Sequence, residues 1–204
     1  MTRLVLASRS PQRRAILEQL GVAFEVVVPD VAELSDGDPV AVAVENARRK
    51  ALAIRSAVTS RPIRERSDRT SASEVVLGVD TVVTLDGAVY GKPTDARDAR
   101  AMLAALGGRW HEVVSGIAVA EGGELRSASA TTRVRFRPLT PELLDWYVAT
   151  GEWQERAGAY AIQGRGAALV AELAGDYLNV VGLPVAALLE LLPGILQRGA
   201  GTLR

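Results

Sequence analysis

The chain has 204 residues, of which 48% are hydrophobic and 24% charged, the proportions of an ordinary globular protein. Its 24 basic and 24 acidic residues cancel, which argues against a protein that coats nucleic acid or a membrane surface. The absence of cysteine excludes disulfides, thiolate metal sites and cysteine nucleophiles, and the single histidine, His111, excludes a multi-histidine metal site. Any bound metal must therefore be held mainly by oxygen ligands, which suits Mg²⁺ or Mn²⁺.

No apolar run approaches the roughly 18 residues of a membrane-spanning helix, and the short apolar run near the N-terminus is too brief for a signal peptide. We therefore expect a protein of the cytoplasm, with neither nucleic acid nor a membrane as its partner.

The first quarter of the chain predicts alternating strands and helices. The apolar run 4–7 reads as a buried strand, and Pro11 then opens a helix that Gly21 ends. A second strand is predicted over 24–28. Alanines and valines at helical spacing predict a longer helix from Pro39 to about Ile54.

The segment 55–74 has a different composition from its surroundings. It is rich in Ser, Arg, Thr and Asp and shows no sustained apolar periodicity. Such a segment cannot bury enough apolar surface to order itself. We expect an exposed polar loop here, within a single domain that covers residues 1–204.

The rest of the chain predicts hairpins interspersed with helices. The expected strands cover residues 75–85, 88–90, 111–120, 127–136 and 168–173, and the expected helices cover 95–106, 141–151 and 183–192. Strands that alternate with helices and hairpins indicate an α/β fold with a mixed, twisted sheet and flanking helices.

The opening loop, between the first strand and the first helix, combines several groups that bind anions. The hydroxyls of Ser8 and Ser10 and the guanidinium groups of Arg13 and Arg14 surround a helix start. Unpaired backbone N–H groups and the helix dipole favour a phosphate at such a place. The alternative is a capped helix with solvated arginines, because the pattern is not a Walker A loop.

Two later positions also stand out. Asp80 interrupts an otherwise apolar strand, where a carboxylate is costly unless it is paired or metal-bound. It is therefore a candidate metal ligand or general base, although a structural aspartate at a strand edge would look the same. Lys92 lies on a turn between Gly91 and Pro93 and could meet a phosphate or simply be solvated.

Further candidates carry weaker signals. Lys50 lies late in the long helix, and Glu33, in an acidic segment, has the oxygen atoms to help hold a divalent cation. Gln163 carries both a donor and an acceptor and could read the edge of a base. A lone histidine such as His111 is more often structural than catalytic.

Taken in order, these segments resemble the Maf family of nucleoside triphosphate pyrophosphatases. The matching pieces are LASRSPQRR (6–14), KA (50–51), DTVV (80–83), GKP (91–93), GAYAIQG (158–164) and NVVGLP (179–184). Each piece is short, but the ordered set spans nearly the whole chain and is specific.

The resemblance implies two lobes around a cleft, as in inosine triphosphate pyrophosphatases, and hydrolysis of a nucleoside triphosphate to the monophosphate and pyrophosphate with a divalent cation. It implies that Asp80 is the catalytic base and that the metal lies at Asp80 and Glu33. The residues implied to contact phosphate are Ser8, Arg13, Lys50 and Lys92, to which the local pattern of the opening loop adds Ser10 and Arg14. It also raises a homodimer as a candidate assembly.

The resemblance further implies a substrate. One branch of the family prefers dTTP and UTP and typically has the threonine and glutamine found here as Thr81 and Gln163. A second branch prefers 7-methyl-GTP and typically has other residues at those places. Gln12 departs from both, since the first branch usually has arginine there and the second tryptophan. The alternatives are therefore a pyrophosphatase for 7-methyl-GTP or other non-standard nucleotides, a nucleotide-binding regulator of cell division, and a structural α/β module.

Overall fold

The computed structural model describes residues 3–59 and 74–199. Its strands are β1 (Arg3–Ala7), β2 (Phe24–Val26), β3 (Glu74–Leu85), β4 (Ala88–Tyr90), β5 (Trp110–Glu121), β6 (Glu124–Phe136) and β7 (Val170–Ala174). Its helices are α1 (Pro11–Gln19), α2 (Pro39–Thr59), α3 (Ala96–Leu106), α4 (Pro141–Ala149), α5 (Tyr177–Val181) and α6 (Val185–Leu191). Short 3₁₀ helices cover Ala157–Ala159, Arg165–Leu169 and Ile195–Gly199. Along these residues, every helix is too short or too polar to cross a lipid bilayer.

The seven strands form one mixed sheet. Its order is β2-β1-β3-β5-β6-β7, and β4 pairs with β3 beside this path. Strand β1 runs parallel to both β2 and β3, whereas all other pairs are antiparallel. The predicted α/β fold with a mixed sheet and flanking helices is confirmed.

Three local predictions were wrong. Helix α2 continues to Thr59, so the beginning of the expected polar loop at 55–74 is helical, because extending a formed helix costs far less than nucleating one. The rest of that prediction falls on 60–73, outside the described residues, until β3 begins at Glu74. A 3₁₀ helix covers Arg165–Leu169, so the last strand begins at Val170 and not at the expected position 168. The expected helices also omitted Tyr177–Val181, which forms a short helix capped by Asp176.

Strand β3 belongs to the two largest hydrophobic clusters. Its first half contributes Val75, Leu77 and Val79 to a cluster with α1 and α6. Its last residues, Val83 and Leu85, belong to a second cluster with α3 and α4. The polar residues 80 and 81 therefore lie in β3 between the stretch that joins the first cluster and the stretch that joins the second.

Helix α2 lies unusually close to the sheet at two glycines on neighbouring strands. A Cβ atom added to Gly78 of β3 would lie 2.2 Å from the backbone oxygen of Ala47. One added to Gly116 of β5 would lie 2.2 Å from the backbone carbonyl of Ala43. Because side chains alternate along a strand, residues 78 and 80 share the face that α2 covers. The glycines therefore set the height of α2 above Asp80.

His111 lies in the core. Its ring packs edge-on against Phe136 and Tyr160, and its Nε2 lies 3.0 Å from the Tyr160 hydroxyl. Burial lowers the pKa of His111 to about 4, so the ring is neutral at pH 7. These contacts are those of a structural histidine.

The close contact at Gly116 predicts a large loss of stability in Gly116→Ala. The added methyl group meets helix backbone, which cannot rotate away, so we expect the free energy of unfolding to fall by about 3 kcal/mol. Denaturant unfolding followed by circular dichroism measures this change. Gly91→Ala is the matched control, because no atom lies within 4 Å of a Cβ at that position. Equal stability of the two variants contradicts the close approach of α2.

Candidate active site

A cleft of about 930 Å³ opens beside the middle of β3. Its walls come from the loop after β1, the first turn of α1, one face of α2, the turn after β4 and segments near positions 156, 163 and 182. All but one of the predicted site residues line it, namely Ser8, Ser10, Gln12, Arg13, Glu33, Lys50, Asp80, Thr81, Lys92 and Gln163. The fold thus brings together side chains that are up to 155 positions apart in the sequence.

At the base of the cleft, Asp80 and Lys50 form a buried ion pair. The ammonium nitrogen of Lys50 lies 2.6 Å from Oδ1 of Asp80, and the two residues are only 6% and 7% exposed. A lone charge in such surroundings would be strongly unfavourable, and each of these charges compensates the other. Lys50 is therefore a buried residue of the cleft and not a solvated residue of the helix surface.

Glu33 reaches the same ammonium group from the segment before α2. Its Oε1 lies 2.6 Å from Nζ of Lys50, and its side chain remains partly exposed to the cleft. Burial tends to raise the pKa of Glu33, but the hydrogen bond and charge of Lys50, together with Lys92 and Arg13, outweigh it and lower that pKa. Glu33 is therefore ionised at neutral pH, and two carboxylates share one lysine.

Asn46 fixes this arrangement, and it was missed in the sequence. Its Nδ2 donates to Oδ2 of Asp80 and to the carbonyl oxygen of Leu34, both at 3.0 Å, and its Oδ1 accepts from the Leu34 N–H at 2.7 Å. The residue is 1% exposed. One side chain therefore holds both Asp80 and the backbone next to Glu33. A signal existed, since Asn46 lies one helical turn before Lys50 and shares its face of α2.

Arg13 lies on the opposite side of β3 and is held rigidly. Its guanidinium donates to the Gly182 carbonyl at 2.8 Å, to Oγ of Ser8 at 3.0 Å and to Oγ1 of Thr81 at 3.0 Å. Burial lowers the pKa of Arg13, while the charges of Asp80 and Glu33 oppose that shift. Within the described residues, three of its five N–H groups are engaged, which leaves two for an acceptor in the cleft.

The hydroxyls next to Arg13 differ in what they can still bind. Oγ of Ser8 accepts from Arg13 and from the N–H of Ser10, and no acceptor for its own proton occurs in the described part of the chain. Ser8 is thus left as a donor. Oγ1 of Thr81 accepts from Arg13 and shares a 2.9 Å hydrogen bond with Ser115. Thr81 therefore lines the cleft with its hydroxyl engaged in protein contacts.

At the upper wall of the cleft, Gln12 and Lys92 are each paired with a residue that the sequence did not indicate. Oε1 of Gln12 lies 2.6 Å from Nη1 of Arg156. Nζ of the exposed Lys92 lies 3.2 Å from Oε2 of Glu155. Gln163 is exposed at the same cleft. Neither Arg156 nor Glu155 belongs to a periodic or apolar pattern that would have marked it.

The structure does not bring Arg14, which was predicted to contact phosphate, to the cleft. Its side chain lies outside the cleft, is exposed and pairs with Glu18 one turn along α1 at 3.1 Å. Consecutive helical residues point about 100° apart, and here Gln12 and Arg13 lie on the side of α1 that meets the cleft, whereas Arg14 does not. Arg9, in the loop before α1, lines the cleft instead.

The cleft thus combines fixed donors and cations with two carboxylates. Arg13, Lys50 and Lys92 supply positive charge, and Asp80 and Glu33 supply oxygen ligands. Across residues 3–59 and 74–199, no group of three or more acidic or histidine side chains could hold a metal ion by itself. Such a site suits an anion that brings its own oxygen atoms, as a polyphosphate does.

The whole chain is similar to characterised families. The family model described as "Maf-like protein" matches residues 3–195. A relative named dTTP/UTP pyrophosphatase from Symbiobacterium thermophilum is 47% identical over 91% of this chain and 90% of its own length. Relatives of the same name from Gloeobacter violaceus (93% of this chain, 94% of its own length) and Pyrococcus furiosus (94% and 95%) are 45% and 38% identical.

Among solved structures, the Staphylococcus aureus Ham1 protein aligns over 95% of this chain and 99% of its own, with 14% identity and a TM-score of 0.49. That likeness is too weak to support any statement about function. The family match, by contrast, covers residues 3–195, which include the cleft residues, and each of the three relatives covers more than nine-tenths of the chain. The chain belongs to the Maf family.

Proposed function

We propose that this protein hydrolyses dTTP and UTP to the nucleoside monophosphate and pyrophosphate. The observation that carries the proposal is the buried Lys50–Asp80 pair, which Asn46 holds at the base of a cleft rich in phosphate-binding groups. The names of its relatives from Symbiobacterium thermophilum, Gloeobacter violaceus and Pyrococcus furiosus support the same substrates.

In this proposal, the triphosphate lies in the cleft, where it meets residues from both sides of β3. Arg13 has two free N–H groups and Ser8 one free O–H, all held in place before the substrate arrives. The buried Lys50 adds charge from the α2 side, and the exposed Lys92 adds charge from the turn after β4. Donors that are already oriented bind phosphate oxygens with little reorganisation. Ser10 caps α1 and lines the same wall of the cleft. Its role is therefore to hold the conformation of the loop.

The carboxylates in the cleft fit a divalent cation. Glu33 and Asp80 each lie 2.6 Å from the same ammonium group, so both already face one positive charge. Carboxylate oxygens suit Mg²⁺ and Mn²⁺, and Mg²⁺ commonly completes its shell with water and substrate phosphate oxygens. Glu33 and Asp80 would therefore hold the ion. When bound, the cation neutralises charge that develops on the phosphate oxygens.

The chemical step assigned to this chain is a proton transfer at Asp80. The carboxylate accepts a proton from a water molecule whose oxygen forms a bond to a phosphorus of the α–β anhydride. The bond between that phosphorus and the bridging oxygen breaks, and pyrophosphate leaves. Asn46 and Lys50 orient the carboxylate for this step, because each holds one of its two oxygens.

The remaining parts of the proposal concern architecture and the base. We assign the two hydrophobic clusters that share β3 to two lobes of one domain, with the cleft between them. Gln163 reads a pyrimidine edge with its free amide, and Thr81 contributes by holding Arg13. Assembly into a homodimer stays a prediction of the family resemblance.

Pyrophosphate release from UTP and dTTP tests the function and its catalytic residue together. We expect release by the wild-type protein with Mg²⁺ or Mn²⁺, loss of release with excess EDTA, and a fall of about 100-fold or more in Asp80→Asn. Asp145→Asn is the matched control, since Asp145 pairs with Arg100 at the surface. Unchanged release in Asp80→Asn contradicts the assignment. Nucleotide binding without any turnover favours the regulator of cell division instead.

If Asn46 positions Asp80, its replacement should change kcat and the pH profile and not merely the melting temperature. In Asn46→Ala, Asp80 loses one of its two hydrogen-bond donors, so we expect kcat to fall by about 10- to 100-fold with little change in KM. Asn46→Asp keeps the shape but places a second carboxylate beside Asp80, which moves the acid limb of the kcat profile to higher pH. A lowered melting temperature with unaltered kcat and pH profile would show that Asn46 is only structural.

A further inference from the structure

The ammonium group of Lys50 lies between the two carboxylates that suit a divalent cation. Its Nζ lies 2.6 Å from Oε1 of Glu33 and 2.6 Å from Oδ1 of Asp80. The other oxygen of Asp80 accepts a hydrogen bond from Asn46 at 3.0 Å. One positive charge of the protein itself therefore already lies where the two carboxylates would hold a cation.

The contact with Glu33 distinguishes this arrangement from simple neutralisation of a buried aspartate. Asp80 is buried, so it needs a partner for its charge. The Glu33 side chain is 45% exposed and could be solvated, yet it lies against the same ammonium group. Its position is set from nearby, because Asn46 exchanges two hydrogen bonds with the backbone of Leu34.

The charged side chains at the base of the cleft balance one another. Asp80 and Glu33 carry two negative charges, and Lys50 and Arg13 carry two positive charges. Arg13 is close enough that its charge helps to lower the pKa of Glu33. A divalent cation added to this group would leave a surplus of positive charge in a largely buried place and would be repelled by the ammonium group of Lys50.

A triphosphate changes this balance. It brings several negative charges, together with oxygen atoms that complete the shell of a divalent cation. Lys50 has three N–H donors, of which the two carboxylates use two, and the third has no partner within the described residues. The flexible side chain of a lysine lets the ammonium group turn from Glu33 to a phosphate oxygen while it stays bonded to Asp80.

We propose that Lys50 keeps a divalent cation away from Glu33 and Asp80 until a triphosphate binds. This inference rests on the proposed function, which supplies the triphosphate. In the nucleotide-free protein, Lys50 fills the cation's position on both carboxylates. With a triphosphate in the cleft, Lys50 turns towards it and releases Glu33 as a ligand. The protein therefore takes up its cation together with the substrate and not before it.

Binding of Mn²⁺ in the absence of nucleotide tests the inference, because the paramagnetic resonance signal of hydrated Mn²⁺ is lost when the ion binds a protein. We expect the wild-type protein to bind Mn²⁺ weakly, with a Kd of about 1 mM or more. Lys50→Met removes the charge and keeps an unbranched side chain. We expect it to bind Mn²⁺ about 10- to 1,000-fold more tightly, because one charge at this distance shifts a neighbouring equilibrium by about that factor.

Two variants serve as matched controls. Lys92→Met makes the same change on an exposed lysine of the cleft that pairs with Glu155. We expect its Mn²⁺ affinity to stay within about threefold of the wild-type value, since an exposed charge is screened by solvent. The double variant Lys50→Met/Asp80→Asn should lose the affinity gained by Lys50→Met, which locates the ion at Asp80.

The melting temperature shows whether Lys50→Met folds with two carboxylates left unpaired. A ligand that binds only the folded state raises the melting temperature, so excess Mn²⁺ should raise that of Lys50→Met and not that of the wild type. If Lys50→Met stays unfolded, the wild-type protein decides. It should bind Mn²⁺ tightly only with a UTP analogue that carries a methylene group between the α and β phosphates, after correction for Mn²⁺ bound by the analogue alone.

The outcomes separate this inference from the function on which it rests. If the wild-type protein releases no pyrophosphate from UTP with Mg²⁺ or Mn²⁺, the proposed function fails. If it releases pyrophosphate but binds Mn²⁺ with a micromolar Kd in the absence of nucleotide, the inference alone is overturned. A folded Lys50→Met variant with wild-type Mn²⁺ affinity also overturns it, because the ammonium group then does not exclude the cation.

Discussion

The close contact between α2 and the sheet is the constraint on which the rest of the site depends. Only glycine fits at positions 78 and 116, because the backbone of α2 occupies the space that a Cβ would need. Because α2 lies so close to the sheet, its side chains can reach the strand beneath it. Asn46 and Lys50 consequently meet Asp80 at 3.0 and 2.6 Å.

In the proposed function, the buried ion pair serves catalysis rather than stability. Removing two charges from water costs several kcal/mol for each ion, and a buried pair often stabilises a fold no more than apolar side chains of similar size. Here, the cost is offset by Asn46, by Glu33 and by the rigid setting that α2 provides. A carboxylate that is oriented before the substrate binds needs no rearrangement during the reaction, which is how such a pair aids catalysis.

The sequence predicts those features that depend on local pattern. Asp80 was recognisable because it breaks an apolar strand, and the opening loop because hydroxyls and arginines cluster at a helix start. The helical phase would also have distinguished Arg13 from Arg14, which the sequence analysis treated alike, since only Arg13 precedes the buried Ile16 and Leu17 by three and four positions. The contacts of Arg156 with Gln12 and of Asn46 with Leu34 join segments that no periodicity relates, so only the tertiary structure reveals them.

In the proposed function, the cleft breaks the bond between the α and β phosphates of a pyrimidine nucleoside triphosphate. Phosphorus NMR of dTTP incubated with the protein and Mg²⁺ tests this reaction, because it identifies each product by its own signal. We expect dTMP and pyrophosphate in equal amounts from the first turnover onward. Formation of dTDP and inorganic phosphate would contradict it.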